Sequence, residues 1–414
     1  MKKYHLETFG CKLNQTDSER IKSKLDKEYK QSSLKEADFV VLNTCGVVEK
    51  TERKILKKIN QFKKTKIIIA AGCLPLISEE CQSLAHGVIG PQSIDSVNKV
   101  VKQALRRKHI VLLKDKHIKK PIALIKQGSA IIPVAEGCLG QCTYCTARLA
   151  RKELQSFAVK DILKEIKKAL NQGAGEIQLT SQDLAVFGLD RGKQELPELL
   201  KEIIKIKKEF KVKLGMMNPG QTKKILKPLL KSYQSNKLYK FIHLPLQSGD
   251  NKVLKKMKRN YKAEDFIQIS EAFRKKFKDS VLATDIIVGH PHESEEAFNN
   301  TIKIIKKTKP DIVHIFKFSR RKGTLDYQLK DWPDRIKKQR SRILTDLFKK
   351  INEKRNQDMK GKSFKVLVVE KRGKTFLGRT DSGRAVVLNK GKPGFSVKTR
   401  ITGARWNYLS GKVV

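Results

Sequence analysis

Three cysteines, Cys138, Cys142 and Cys145, stand in a C-x3-C-x2-C spacing within EGCLGQCTYC. Thiolates in so short a run can share one inorganic centre, and thiolates are the ligands of iron–sulfur cubanes. A cubane has four irons, so three cysteines leave one iron open to a small molecule, much as an open position on zinc admits substrate. The competing use of this spacing is a structural zinc site. That site needs a fourth close ligand, and no His or Cys follows Cys145 within the next ninety residues.

Three more cysteines precede this run: Cys11 in TFGCKLNQTDSE, Cys45 in NTCGV and Cys73 in AAGCLP. Each follows directly on a β-rich run, and parallel strands end on one edge of their sheet, where such residues converge. Gly10, Gly46 and Gly72 adjoin them and let backbone approach a bulky group. A single free cysteine reads as buried filler. Three at equivalent strand ends read as the ligands of a second cluster. Cys81, inside the helical pattern ISEECQSL, reads as core filler.

The elements that must position these residues follow from periodicity. KYHLETF, DFVVLN, KIIIAAG and GVIG read as strands, with helical spacing over Ser18–Tyr29 and Val47–Phe62. Such alternation predicts a parallel sheet with helices on both faces, over residues 1–110. A basic connector, LLKDKHIKKP, follows. From residue 125 to 358, AIIPVAEG, EIQLTS, VKLGMM, KFIHLPL, VLATDIIVG and DIVHIFKF read as buried strands, separated by helical patterns such as Val159–Asn171 and Ala263–Lys278. About six such units predict a partial (β/α) barrel whose ligands bind at the C-terminal ends of the strands. A basic helix over Pro333–Met359 closes this segment. Residues 359–414 carry short strands between Gly-containing turns and predict a small antiparallel β-barrel.

The chain has 414 residues with 90 Lys+Arg against 42 Asp+Glu, a formal charge of +48. That excess suits a polyphosphate partner, although a lysine-rich surface that is merely solvated gives the same total. No apolar run reaches the length of a membrane span, and MKKYHLETFG lacks the apolar core of a signal peptide. A cytoplasmic location is expected, where thiols stay reduced and cysteines serve as ligands.

The two cysteine sets, in this order, resemble the radical S-adenosylmethionine methylthiotransferases over essentially the whole chain. LTSQD, HLPLQSGDNKVLKKMKRNY, TDIIVGHP and FSRRKGT match further stretches of that family, and the final barrel resembles its TRAM domain, an RNA-binding module. GMMNP and EGCLGQCTYC followed by ARKELQSF are most similar to the archaeal and eukaryotic branch, which acts on threonylcarbamoyladenosine beside the tRNA anticodon. The resemblance implies two 4Fe–4S clusters, S-adenosylmethionine, a tRNA substrate and a flavodoxin- or ferredoxin-like electron donor, and leaves the sulfur donor open. Two departures touch loop geometry: Lys152 stands where the family commonly has Gly, and a GFPGET-like loop reads Gly289-His290-Pro291-His292-Glu293-Ser294, its histidines read as exposed loop residues.

Candidate site residues come from the resemblance, for Glu176 and Tyr144, and otherwise from placement at strand ends and on the small barrel. Glu176 is expected near the cofactor's amino group, with a simple salt bridge as its competing role. Tyr144, Gln182, Gln247 and Ser248 are candidate cofactor or substrate contacts. Arg379, Arg384, Lys390 and Arg405 are expected to form an RNA-binding patch, and Trp406 to belong to the small barrel's core. Arg151 is a candidate reader of the substrate carboxylate, or a structural salt bridge. Two other functions stay open: methylthiolation of isopentenyladenosine tRNA or of a ribosomal protein, and a noncatalytic zinc- or cluster-bearing RNA-binding protein.

Overall fold

The computed structural model describes residues 1–114 and 120–414, so part of the basic connector lies outside the described residues. The chain folds into two compact units. The first comprises Met1–Leu124, Glu136–Phe157 and Ser319–Leu329; the second comprises Ile125–Ala135, Ala158–Phe318 and Lys330–Val414.

The first unit is built on six strands: β1 (Lys3–Thr8), β2 (Lys30–Gln31), β3 (Phe39–Thr44), β4 (Ile67–Gly72), β5 (Gly87–Ile89) and β6 (Ile110–Leu112). They pair in parallel in the order β2-β1-β3-β4-β5-β6. The unbroken apolar run Phe39–Leu42 is buried throughout, as a parallel strand covered on both faces requires. One face packs Val41 and Ile69 with Ile21 and Leu25, and the other packs Val40 and Ile68 with Ile55 and Ile59. These last pairs come from helices α1 (Lys12–Leu25) and α2 (Glu49–Phe62). Helix α1 starts immediately after Cys11, well before the Ser18 start that periodicity suggests. Its first turns are mostly polar, so apolar spacing alone does not reveal them. The short strands β2 and β6 are likewise additions to the four expected.

In the second unit, β7 (Leu124–Lys126) and β8 (Ser129–Pro133) are joined by the two-residue turn Gln127–Gly128. Then follow α3 (Val159–Asn171), β9 (Glu176–Thr180), β10 (Lys211–Leu214), β11 (Phe241–His243), α4 (Ala263–Lys276), β12 (Val281–Val288), α5 (Glu295–Thr308) and β13 (Ile312–Lys317). Strands β8, β9 and β10 pair in parallel, as do β11, β12 and β13, and single parallel bridges join the two sets. Six parallel strands in chain order are the expected partial barrel.

Helix α6 (Asp334–Gln357) leads to β14 (Ser363–Arg372), β15 (Thr375–Thr380), β16 (Ala385–Leu388), β17 (Ser396–Ala404) and β18 (Leu409–Val413), which close in the order β14-β15-β16-β18-β17. Four pairings are antiparallel and β16–β18 is parallel. Five strands in a closed ring cannot alternate all the way round, so one parallel pair is forced. Val366 and Val368 face this small barrel's core, while Leu367 and Val369 pack on Phe241, Val281 and Ala283 of the strand arc. The run VLVV is therefore buried on both faces of β14.

Candidate active site

All six candidate ligand cysteines lie in the first unit, because the loop carrying Cys138, Cys142 and Cys145 clusters there. In that loop the Gly140 amide donates to Cys138 Sγ at 3.2 Å. A Cβ at Gly140 would sit 3.2 Å from Cys138 Sγ and 3.5 Å from Cys142 Sγ, so glycine leaves the space between two thiols clear. Thr143 Oγ1 donates to Asp326 Oδ2 at 2.7 Å, and the Asp326 amide returns a bond to the Thr143 carbonyl at 3.2 Å, anchoring the loop. Tyr144 is half-buried within it.

Cys11, Cys45 and Cys73 converge, as strand-end placement predicts. Asn14 Oδ1, on the first turn of α1, is 3.8 Å from Cys11 Sγ and 3.7 Å from Cys73 Sγ. Asn14 is held in turn by donating to the carbonyls of Phe9 and Thr44. Gly10 has a φ of +110°, and a Cβ there would strike the Cys45 Cβ at 2.8 Å, so only glycine allows this approach. Burial raises the Cys45 thiol and pushes Cys73 up to about 11, the nearby Arg151 only partly offsetting the second. Thiols raised in this way are poor nucleophiles, and a metal centre must displace their protons to bind. Cys81 is fully buried among Val40, Ile55 and Ile68 and is pushed up to about 12 by burial, as core filler should be.

Arg151 is not free to read a substrate. It is 2% exposed, pairs with Asp17, lies 3.3 Å from Glu136 and donates to Asn14 at 3.2 Å. It forms an internal salt bridge. His290 is fully buried against the Phe318 ring, contrary to its reading as an exposed loop residue, whereas His292 is exposed.

The second unit separates the remaining candidates. Gln182 follows the C-terminal end of β9, and its Oε1 is buried without a hydrogen-bond partner. Gln247 holds a φ of +66°, a strained value for a side chain of this kind, and bridges to Ile286 in β12. Ser248 is fully buried, and its Oγ accepts from the Asp250 amide at 3.2 Å. Glu176 is at the opposite, N-terminal end of β9, fully buried, with Arg379 Nε 2.7 Å from its Oε1. It therefore corrects to the salt-bridge role. Burial pulls the Arg379 guanidinium down, but Glu176 more than offsets this and leaves it above its ordinary range.

Arg384 is equally internal, donating to Asp311 at 2.7 Å and Asn356 at 3.0 Å. Two of the four expected RNA-binding residues thus seat the small barrel on the strand arc, while Lys390 and Arg405 are exposed. Trp406 is only half-buried and packs edge-on against Phe348 of α6.

Sequence reading missed three groups. His243, Asp285 and His314 occupy three successive strands, with Asp285 Oδ1 3.0 Å from one imidazole and 2.8 Å from the other. Polar residues inside apolar strands were the available signal. Arg321, within FSRRKGT, is buried, donates to the Gly46 carbonyl at 2.9 Å and pairs with Glu52. Asn14 was hidden in an ordinary polar helix start.

Three family models match the chain: the Uncharacterized protein family UPF0004 over residues 3–88, the Radical SAM superfamily over 132–305 and the TRAM domain over 357–414. A probable threonylcarbamoyladenosine tRNA methylthiotransferase of Archaeoglobus fulgidus is 43% identical over 99% of this chain and 98% of its own length. The chain belongs to the threonylcarbamoyladenosine tRNA methylthiotransferase family. A tRNA-2-methylthio-N(6)-dimethylallyladenosine synthase of Thermotoga petrophila is 32% identical over 91% of this chain and 88% of its own. The fold is shared with a solved radical S-adenosylmethionine methyltransferase from Kitasatospora setae, at a TM-score of 0.58 and 10% identity over 79% of this chain and 77% of that one. The radical SAM match implies a 4Fe–4S cluster and S-adenosylmethionine. The clear space between the thiols at Gly140 fits the cluster. No helix among the described residues is long and apolar enough to cross a membrane.

Proposed function

We infer that this methylthiotransferase converts threonylcarbamoyladenosine in tRNA to its 2-methylthio derivative, with one cluster at Cys138, Cys142 and Cys145 and a second at Cys11, Cys45 and Cys73. The observation that carries the reading is the convergence of the three N-terminal thiols around Asn14, in the same compact unit as the C-x3-C-x2-C loop. An adenine C–H has no acidic proton, so general bases alone cannot activate it. When bound, the cluster of the C-x3-C-x2-C loop supplies the open iron and the electron that reductive cleavage of S-adenosylmethionine needs.

The protein's own residues supply position. Thr143 and Asp326 fix the loop, and Gly140 keeps the inter-thiol space clear. Gln182 and Gln247 offer polar atoms near the C-terminal strand ends, where ligands of such barrels bind. Lys390 and Arg405 are exposed cations for the RNA backbone. The reading divides the chain functionally at 1–110, 125–358 and 359–414, calls for a flavodoxin- or ferredoxin-like reductant, and places the work in the cytoplasm with its tRNA.

The test supplies reduced, reconstituted protein with tRNA carrying threonylcarbamoyladenosine, isopentenyladenosine or neither, followed by mass analysis of the nucleosides. A 2-methylthio product only from the first supports the assignment. Preference for the isopentenylated tRNA would move the protein to another branch. Iron near four rather than about eight per chain would remove the second cluster.

A further inference from the structure

Arg151 stands six residues after Cys145, yet its side chain is directed to the other cysteine set. It donates to Asn14 Oδ1, the oxygen that also accepts from the Cys11 and Cys73 thiols. Its charge is felt by both of those thiols. Arg321 repeats the arrangement at the third thiol: it donates to the carbonyl of Gly46, beside Cys45, and lies within electrostatic reach of the Cys45 sulfur.

Carboxylates already pair with both guanidiniums: Asp17 and Glu136 with Arg151, Glu52 with Arg321. Neutralisation alone therefore does not explain the placement. The carboxylates leave buried donors with no hydrogen-bond acceptor on both side chains: Nε and Nη1 of Arg151 and Nε of Arg321. A buried donor without a partner costs about 1–3 kcal/mol, so such donors around one set of thiols mark an acceptor that belongs there. A cubane on three thiolates presents sulfurs that accept hydrogen bonds, and such bonds and nearby charge set its potential.

We propose that Arg151 and Arg321 are positioning groups of the second cluster, which hold positive charge and N–H donors against its sulfurs and raise its reduction potential. The proposal rests on the second-cluster reading above. It gives Arg151 a further consequence: a residue of the radical-motif segment controls how easily the sulfur-bearing centre accepts an electron.

The experiment uses the full-length protein with Cys138, Cys142 and Cys145 replaced by Ala, so that only the second cluster contributes to the paramagnetic signal of the reduced state. Redox titration followed by that signal gives the midpoint. Arg151→Met and Arg321→Met should each lower the reduction equilibrium constant at least tenfold, about 59 mV for one electron. Arg151→Lys, which keeps the charge, should fall between Met and wild type. Asp17→Asn, which removes one of the two carboxylates facing Arg151, should shift the midpoint the other way. A purely structural role predicts no such opposition of sign. If Arg151→Met does not fold or retain iron, Arg321→Met and Asp17→Asn decide. An unchanged midpoint in Arg321→Met, or a lowered one in Asp17→Asn, overturns the proposal. Absence of iron from the background protein with both arginines intact would instead sink the second-cluster reading, and the proposal with it.

Discussion

Arg379 and Glu176 form a buried ion pair, with 2.7 Å between Nε and Oε1, that ties the second strand of the small barrel to the first residue of β9. Beside them the buried Tyr239 hydroxyl is raised by burial and by the Glu176 carboxylate, so it stays protonated. Breaking a buried pair from one side leaves an uncompensated charge, at about 3–5 kcal/mol. Arg379→Ala should therefore destabilise the protein by an amount in that range, read by urea unfolding, while the protein that remains folded binds tRNA as before. A large loss of tRNA affinity without loss of stability would return Arg379 to the RNA face.

Removal of the small barrel should damage the second unit as well as RNA binding. A chain ending near Met359 strands Glu176, leaves Asp311 without Arg384, and uncovers Phe241, Val281 and Ala283. Such a chain should aggregate or lose cofactor cleavage, as size-exclusion and deoxyadenosine assays would show. A monodisperse truncated protein with full cleavage activity would contradict this seating.

Lys390 and Arg405 are the cleaner probes of RNA binding, since both are exposed. Replacing either by Ala should leave stability unchanged. Each lost phosphate contact should reduce the slope of log K against log salt by roughly 0.7–0.9. An unaltered slope in the double variant would place the RNA elsewhere.

The cysteine sets should be separable by iron content. Alanine at Cys138, Cys142 and Cys145, or at Cys11, Cys45 and Cys73, should take iron from about eight to about four per chain. Only the first set should abolish cofactor cleavage. Cys81→Ala should leave iron unchanged, because Cys81 packs among apolar side chains. Iron loss in that variant would bring Cys81 into a ligand set.

Asp285 makes a pH prediction. Burial works to raise its carboxyl, but His243 and His314 outweigh it and hold the group well below the usual carboxylate range. A group depressed in the fold stabilises it above the unfolded pKa and loses that contribution as pH falls toward the folded one. Asp285→Asn should thus be less stable than wild type at neutral pH. The difference should shrink as pH drops below about 4, the unfolded carboxylate pKa. A gap that stays constant from neutral pH to pH 3 would show that the ionised carboxylate contributes nothing.

The fold and the convergence of the three N-terminal cysteines were largely legible in one dimension. Strand runs such as VLATDIIV and IIIAAG are unbroken and apolar because both faces of a parallel sheet are covered, and a cysteine at the end of such a run has only one edge to occupy. That logic placed Cys11, Cys45 and Cys73 together with no contact known. The fates of the charged residues were not legible. Arg151, Arg379, Arg384 and Glu176 look like any other charges in a chain of formal charge +48, and their burial depends on partners distant in sequence. Asp17 is 134 residues from Arg151, and Asp311 is 73 from Arg384. Periodicity reports which face of an element is apolar. Only the tertiary structure decides which cation finds a buried carboxylate, because that pairing is set by how separate elements pack.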